Sequence, residues 1–520
     1  MKKLRSLASV LLAMVMALAL SVTVFAASGS STITITGVPT ATHTFTAYQI
    51  FSGDVSGNTL SNVQWGDGVT SGSAALAAAQ SVTADNSTYP FASCSSAADV
   101  AEVLAGYSSD SDLVKAFAEA MSAVLSSTSS GSTNSGTASG STYTYEISGV
   151  ATGYYLVTDS TSTTQGDAVS AYVLYVAGGT SSIAFKNEVP TPTKEIVDGS
   201  STYGTSAGAD ETVTFKITGT IPGYAADYDS YTYIFRDTMS SNLSNATNFA
   251  VSASTSGTLA ETTNYTVSTI GQNITITILN AKTYAGEIIT VTYDATLDSG
   301  AAAGTAETNT VYIEYSNNPN GSGTGTTVEK KVYVYTFDLT VDKVDDSGNA
   351  LSGAGFTLYK KADITAFESG ITYYTYANNT MEAVASGATY DSSTDYYTLV
   401  DTETVTANGS KYTATFNDLG EGDYILVETT TPSGYNTVTP VSFTISATYN
   451  TDGTISSLSG SGSVSAGTSL TTLTTEIENK SGASMPTTGG IGTTIFYIVG
   501  GVLVLGAVVL LITRRRMRKA

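Results

Sequence analysis

Apolar and hydroxyl-bearing residues alternate along much of this chain, and the alternation leaves few folds open to it. Thr32-Ile33-Thr34-Ile35-Thr36, Val213 to Ile217 and Ile274-Thr275-Ile276-Thr277-Ile278 all follow the pattern. Side chains of an extended strand point to opposite faces in turn, so each such run buries one face and wets the other. Clusters rich in Gly, Asn, Ser and Asp separate the runs, as turns separate strands. Spread over 520 residues, the pattern predicts an all-β chain of tandem Ig-like β-sandwich domains. One stretch departs from it. Between Ala97 and Leu125, Val100, Val103 and Leu104, then Leu113, Val114, Phe117 and Met121, fall at helical spacing, with Ser111 and Asp112 as helix starts. One or two helices inserted into the first domain are expected there.

Composition narrows the function. A single histidine, His43, argues against a Ser/His/Asp hydrolase and excludes any site built on two His ligands. A single cysteine, Cys94, excludes an internal disulfide framework. With 44 acidic against 21 basic residues the formal charge is −23, the wrong sign for a nucleic-acid surface. His43, Trp65 and Cys94 read as packing residues. Asp198-Gly199-Ser200-Ser201-Thr202 reads as a turn after a strand, so neither a metal nor a cofactor is expected.

The two ends depart from the alternating pattern. Residues 1–26 carry Lys2, Lys3 and Arg5, then an uncharged run closing on Val24-Phe25-Ala26, the pattern of a secretory signal peptide cut before Ala27. Near the other end, residues 491–512 are uncharged and mostly apolar, long enough to cross a bilayer, and Arg514, Arg515, Arg516, Arg518 and Lys519 follow. Met485-Pro486-Thr487-Thr488-Gly489 stands just before that span. The order of pentapeptide, apolar span and basic tail over residues 485–520 resembles the LPXTG-type sorting signal of Gram-positive surface proteins, with Met485 where Leu is usual. The resemblance implies that a sortase attacks the carbonyl of Thr488, that Gly489 onward leaves, and that Thr488 passes to an amine. Membrane attachment would then be transient. Loss of both ends removes eight basic residues and no acidic ones, which deepens the charge to −31.

Pro190-Thr191-Pro192-Thr193 is a stiff connector. With a second boundary near Tyr335 it gives domains at 27–187, 188–334 and 335–480; Asn317 to Thr327 is expected to be a long flexible loop. The third domain contains Leu339-Thr340-Val341-Asp342-Lys343-Val344-Asp345, Gly422-Asp423-Tyr424-Ile425-Leu426-Val427-Glu428-Thr429 and Ile477-Glu478-Asn479. These segments resemble the prealbumin-like domain of collagen-adhesin B repeats and fimbrial shaft proteins. The resemblance implies an intramolecular isopeptide bond from Lys343 to Asn479, promoted by Glu428. The second domain contains Thr193-Lys194-Glu195-Ile196-Val197, Ile234-Phe235-Arg236-Asp237-Thr238-Met239 and Asn309-Thr310-Val311-Tyr312. It is similar to the isopeptide-forming domain of fimbrial subunits, which implies Lys194, Asp237 and Asn309 in the corresponding roles.

The residue types suit the chemistry. Burial lowers a lysine pKa until the neutral, nucleophilic amine is available, and it keeps a carboxyl protonated, able to hydrogen-bond an amide and move protons as ammonia leaves. The reaction runs once per domain and makes the chain no turnover enzyme. The first domain has no lysine in its opening strand, so no bridge is expected there, and Asp159 in Gly153-Tyr154-Tyr155-Leu156-Val157-Thr158-Asp159 lacks a lysine partner. Its last strand does hold Phe185-Lys186-Asn187, placed like the acceptor motif of fimbrial shaft proteins. By that resemblance Lys186 is the amine that receives Thr488 of the next subunit. The expected protein is thus a structural subunit of a covalently polymerised pilus, secreted and anchored to the Gram-positive cell wall. Its partners would be sortase, identical subunits in a linear polymer, tip or base pilins and peptidoglycan. A monomeric wall-anchored adhesin is the alternative; it uses the same sorting signal without an acceptor lysine.

Overall fold

The computed structural model describes residues 31–83, 89–109, 111–160, 165–178, 182–197, 199–467, 469–482 and 491–517. The signal peptide, Asp198 and the pentapeptide Met485 to Gly489 lie outside the described residues. The chain forms two compact units. One runs to Tyr203 and takes in Thr212–Thr296 and Glu307–Tyr333; the other comprises Gly204–Glu211, Leu297–Ala306 and the chain from Val334 onward.

The first unit holds two sandwiches. In the leading one, Ser31–Val38 lies between Thr142–Val150, antiparallel, and the short parallel strand Ile183–Ala184. The facing sheet centres on Phe45–Ser56, flanked by Thr59–Trp65 and Gly153–Asp159. Alternation places Ile33, Ile35, Tyr145, Ile147, Tyr155 and Val157 inward, where they form the sandwich core. A second core sits under three helices, Gly72–Ser81, Ala97–Leu104 and Asp112–Ser122. Each begins at a serine whose hydroxyl accepts a backbone N–H, and Ser96 completes a reciprocal capping box with Asp99. Phe51, Phe91, Phe117 and Met121 fill the space between helices and sheet. The first helix escaped sequence expectation because its buried side chains are Ala75 and Ala79, too small to mark an apolar stripe.

In the second sandwich one sheet carries Pro192–Val197, Thr212–Thr220 and Ile288–Leu297 in that order. The other carries Glu307–Ser316, Tyr233–Met239 and Asn273–Ile278. The segment from Asn317 to Thr327 is not the free loop expected. Thr324–Thr326 pairs with Glu307–Ser316, and Asn317 is buried. Asn320 donates its side-chain amide to the Ser170 carbonyl (2.8 Å) and accepts the Tyr172 N–H (3.1 Å). Val169 and Gly166 donate their N–H groups to the carbonyls of Asn317 and Thr326, both at 2.7 Å. These bonds satisfy backbone groups from both sandwiches, which is why two sandwiches make one compact unit.

The second unit is built on the pairing of Phe337–Asp345 with Thr472–Asn479, parallel neighbours that align Lys343 with Ile477 and Asp345 with Asn479. Its other sheet places Gly355–Lys361 between Tyr396–Thr404 and Gly422–Thr430. Leu339, Val341, Phe356, Leu358, Phe416 and Ile425 are all buried. A helix, Ile491–Met517, closes the described chain; within it Tyr497–Arg515 has a mean hydropathy of 2.2 and is long and apolar enough to cross a membrane.

Candidate functional site

Period-2 burial puts polar residues where the sandwich cores require apolar ones. In the second sandwich, Lys194 follows Pro192 and precedes Ile196 on the inward face, and only 1% of it is exposed. Asp237 stands in the inward series Tyr233, Phe235, Asp237, Met239, and Asn309 in the series Asn309, Val311, Ile313, Tyr315. The four strands involved bring these three residues together with a fourth, Tyr293, which shares its inward face with Val291 and Ala295.

The geometry of this cluster is closed. The Lys194 ammonium donates to Asp237 Oδ2 and, at 3.3 Å, to the Tyr293 hydroxyl. Tyr293 donates to the same Asp237 oxygen at 3.0 Å and accepts from Asn309 Nδ2 at 2.5 Å. Phe215 and Tyr293 each set a ring 5.4 Å from Lys194 Nζ, and Phe249 stacks on Tyr293. Asp237 Oδ1 and Asn309 Oδ1 are buried with no hydrogen-bond partner. Burial lowers the Lys194 pKa against the pull of Asp237, and burial raises that of Asp237 against the pull of Lys194. Both directions favour the uncharged amine and the uncharged acid, the forms that attack on an amide requires. Sequence reasoning missed Tyr293. Its only signal is an inward position in an alternating strand, shared with ordinary core residues.

In the second unit, Lys343 continues the inward series Phe337, Leu339, Val341, and Asn479 continues Leu473, Thr475, Ile477. Glu428 is buried on Gly422–Thr430. Here the acid meets the amide directly: Asn479 Nδ2 donates to Glu428 Oε2 at 3.0 Å and to the Asn436 carbonyl at 2.9 Å. Glu428 Oε2 also accepts the Val438 N–H at 2.9 Å. Glu428 Oε1 and Asn479 Oδ1 lack partners. The Lys343 ammonium instead donates to the carbonyls of Val344 (2.8 Å) and Ile477 (2.9 Å), the latter two residues before Asn479. Burial lowers its pKa, opposed by the charges of Glu428, Glu478 and Asp345.

The leading sandwich answers differently. Asp159 has a partner there, and it is His43. Nδ1 lies 2.8 Å from Asp159 Oδ2 and Nε2 lies 2.9 Å from Asp167 Oδ1, with all three side chains fully buried. Burial disfavours the imidazolium, but hydrogen bonds and charge from both carboxylates outweigh it and push its pKa up to about 9. The carboxylates approach opposite nitrogens of the ring, so the three groups do not converge on a common point. His43 is therefore more than the packing residue read from sequence. The missing cue was the pairing of residues more than a hundred positions apart. Close by, Phe185 and Asn187 are buried and Lys186 between them is half-buried. Asn187 Nδ2 donates to the Val169 carbonyl (2.7 Å) and to the Tyr228 hydroxyl (2.9 Å), while the Lys186 N–H donates to Ser170 Oγ (3.1 Å).

Comparison with known proteins fits this picture at both ends of the second unit. Residues 337–457 match the SpaA family, described as a prealbumin-like fold domain, and residues 477–518 match the Gram-positive LPXTG cell wall anchor motif. Among solved structures, the T6 backbone pilin of serotype M6 Streptococcus pyogenes, itself a modular three-domain protein, aligns over 87% of this chain and 99% of its own, with a TM-score of 0.51 and 16% identity. This is a wall-anchored surface chain with the fold of a backbone pilin. The major pilin SpaD of Corynebacterium diphtheriae aligns over 87% of the chain and 98% of its own at a TM-score of 0.47 and 16% identity. No curated protein matches by sequence. In this pilin fold the sandwiches carry the polar clusters and the anchor motif closes the chain.

Proposed function

We propose that this chain is the shaft subunit of a covalent pilus, reinforced from within by two self-formed Lys–Asn isopeptide bonds. The observation that carries the internal bonds is the sealed cluster of Lys194, Asp237 and Asn309. An ordinary strand lysine extends its ammonium to water; this one is buried against aromatic rings, an acid and the tyrosine hydroxyl that holds the asparagine amide. In the second sandwich and in the second unit the amine attacks the asparagine Cγ, ammonia leaves, and the acid, Asp237 or Glu428, carries protons between the two nitrogens. By analogy with disulfides, closing loops of this length stabilises by about 5 kcal/mol each.

For assembly, sortase cleaves between Thr488 and Gly489 and transfers Thr488 to Lys186 of the next subunit. Phe185 and Asn187 hold the backbone on either side of Lys186, and the wall-anchor motif supplies the other reacting end. The bonds are tested by intact mass, which should fall by one ammonia for each bridge; a full unmodified mass removes them. Assembly is tested by expressing Lys186→Ala beside the cognate sortase. Loss of the high-mass ladder supports the shaft reading, an unchanged ladder removes Lys186 as acceptor, and a wild type without a ladder favours the monomeric adhesin.

A further inference from the structure

We propose that Tyr293 is a catalytic residue of the second sandwich, its hydroxyl relaying the proton from Asp237 to the departing nitrogen of Asn309. The proposal rests on the reading that Lys194 and Asn309 become linked. It starts from a reach problem. Asp237 Oδ2 is bonded to the Lys194 ammonium, yet no hydrogen bond joins Asp237 to Asn309. The Tyr293 hydroxyl spans that gap. It is within 3.0 Å of the acid oxygen and 2.5 Å of Asn309 Nδ2, and the amine lies 3.3 Å away. All the groups that exchange protons therefore meet at one oxygen. Burial holds the Tyr293 phenol well above its ordinary pKa, assisted by the charge of Asp237, so it passes a proton on without resting as phenolate.

The step balances without an outside reagent. The Lys194 ammonium first gives a proton to Asp237 Oδ2. The free amine attacks Cγ of Asn309, forming the Nζ–Cγ bond and placing charge on Oδ1. As the Cγ–Nδ2 bond breaks, its electron pair stays with Nδ2. That nitrogen takes the hydroxyl proton of Tyr293, and Tyr293 takes the proton of Asp237. The new amide nitrogen then sheds its extra proton to Asp237. One C–N bond forms, one breaks, ammonia leaves, and Tyr293 ends as it began. General acids of this kind typically contribute 10²–10⁴ in rate.

The test follows the Lys194–Asn309 cross-linked peptide by mass spectrometry in purified full chain at successive times after synthesis. The Lys343–Asn479 link serves as the internal measure of folding. The expected result for Tyr293→Phe is a Lys194–Asn309 link that forms at least about 100-fold more slowly than in wild type while the other link completes. Phe249→Leu disturbs the packing of the Tyr293 ring but keeps its hydroxyl, and should leave the link near the wild-type rate. A 3-fluorotyrosine at position 293 keeps the shape and alters the acidity, so the rate should shift. The proposal is overturned if Tyr293→Phe links as fast as wild type, if Phe249→Leu is as slow as Tyr293→Phe, or if the fluorinated chain is unchanged. A wild-type chain in which Lys194 and Asn309 stay unlinked overturns the underlying reading as well, and is recognised because wild type and Lys194→Ala then show the same number of ammonia losses in intact mass.

Discussion

Asp237 and Glu428 occupy matching stations in two sandwiches, each an inward acid between a buried lysine and a buried asparagine, but they are wired differently. Glu428 touches its amide directly at 3.0 Å and leaves Lys343 bonded to backbone carbonyls. Asp237, shorter by one methylene, pairs with Lys194 and reaches its amide through a tyrosine. The difference teaches that acid length and the neighbouring side chain are chosen together. A shorter acid leaves room that a phenol fills; a longer acid needs no intermediary. The two clusters also differ in how their lysines are bonded. The second-sandwich set forms one hydrogen-bonded network, whereas Lys343 has no bond to Glu428 or Asn479 among the described residues.

The comparison can be broken most decisively at the acids. Asp237→Ala leaves the Lys194 ammonium in an apolar core with no counter-charge, a loss of about 3–5 kcal/mol, and it should also abolish the link; intact mass and thermal unfolding read both effects. Lys194→Ala also abolishes the bond, a cost of about 5 kcal/mol, and leaves Asp237 without its ammonium, but burial favours the uncharged acid and Tyr293 still bonds it, so the further penalty should be smaller. If the two variants lose equal stability, pairing with the Lys194 charge is not what Asp237 supplies.

Next comes acid length. Glu428→Asp withdraws the carboxylate from Asn479, and among the described residues no tyrosine hydroxyl bonds either group, so the Lys343–Asn479 link should slow by about 100-fold or more, measured on the cross-linked peptide. A link completed at the wild-type rate would show that reach is not what separates the two sites.

The leading sandwich adds a third buried polar cluster. His43 has a pKa raised to about 9 between Asp159 and Asp167, above its value in an unfolded chain. Its contribution is therefore fully present below pH ~6.5 and is lost as pH rises through about 9. The shift corresponds to about 3 kcal/mol. Hydrogen exchange in Phe45–Ser56 and Gly153–Asp159 should accelerate over that range beyond its intrinsic pH dependence, and His43→Gln should flatten the added change. The smallest effect is expected at Arg236, adjacent to Asp237 on the opposite face of the strand. Its partly exposed pair with Glu314 (2.8 Å) is worth less than about 1 kcal/mol, and Arg236→Ala should leave both links and the unfolding temperature nearly unchanged.

Much of this was legible in the sequence, and the reasons are specific. Alternation made the domains β-sandwiches, and family resemblance picked out Lys194, Asp237 and Asn309 and assigned their roles. Sequence could not supply Tyr293, because an inward tyrosine looks the same whether it fills space or bonds an acid. Nor could it pair His43 with Asp159 and Asp167, since those contacts arise only when Gly153–Asp159 pairs with Phe45–Ser56, the strand that follows His43, and the segment carrying Asp167 closes on them. Asn317 to Thr327 read as a loop from its Asn and Gly content. The Asn320 side-chain amide instead satisfies backbone groups of the neighbouring sandwich, a use of asparagine that composition does not distinguish from a turn.

The parallel pairing of Phe337–Asp345 with Thr472–Asn479 governs how the second unit would respond to tension. Force entering at Phe337 and leaving after Asn479 loads the two neighbours in shear, so their hydrogen bonds must yield together instead of unzipping one by one. With Lys343 joined to Asn479, the load line passes from one to the other and skips the chain between them. About 450 Å of contour length is then withheld from extension, and a fibre of such units stretches little even where its sandwiches are momentarily disrupted.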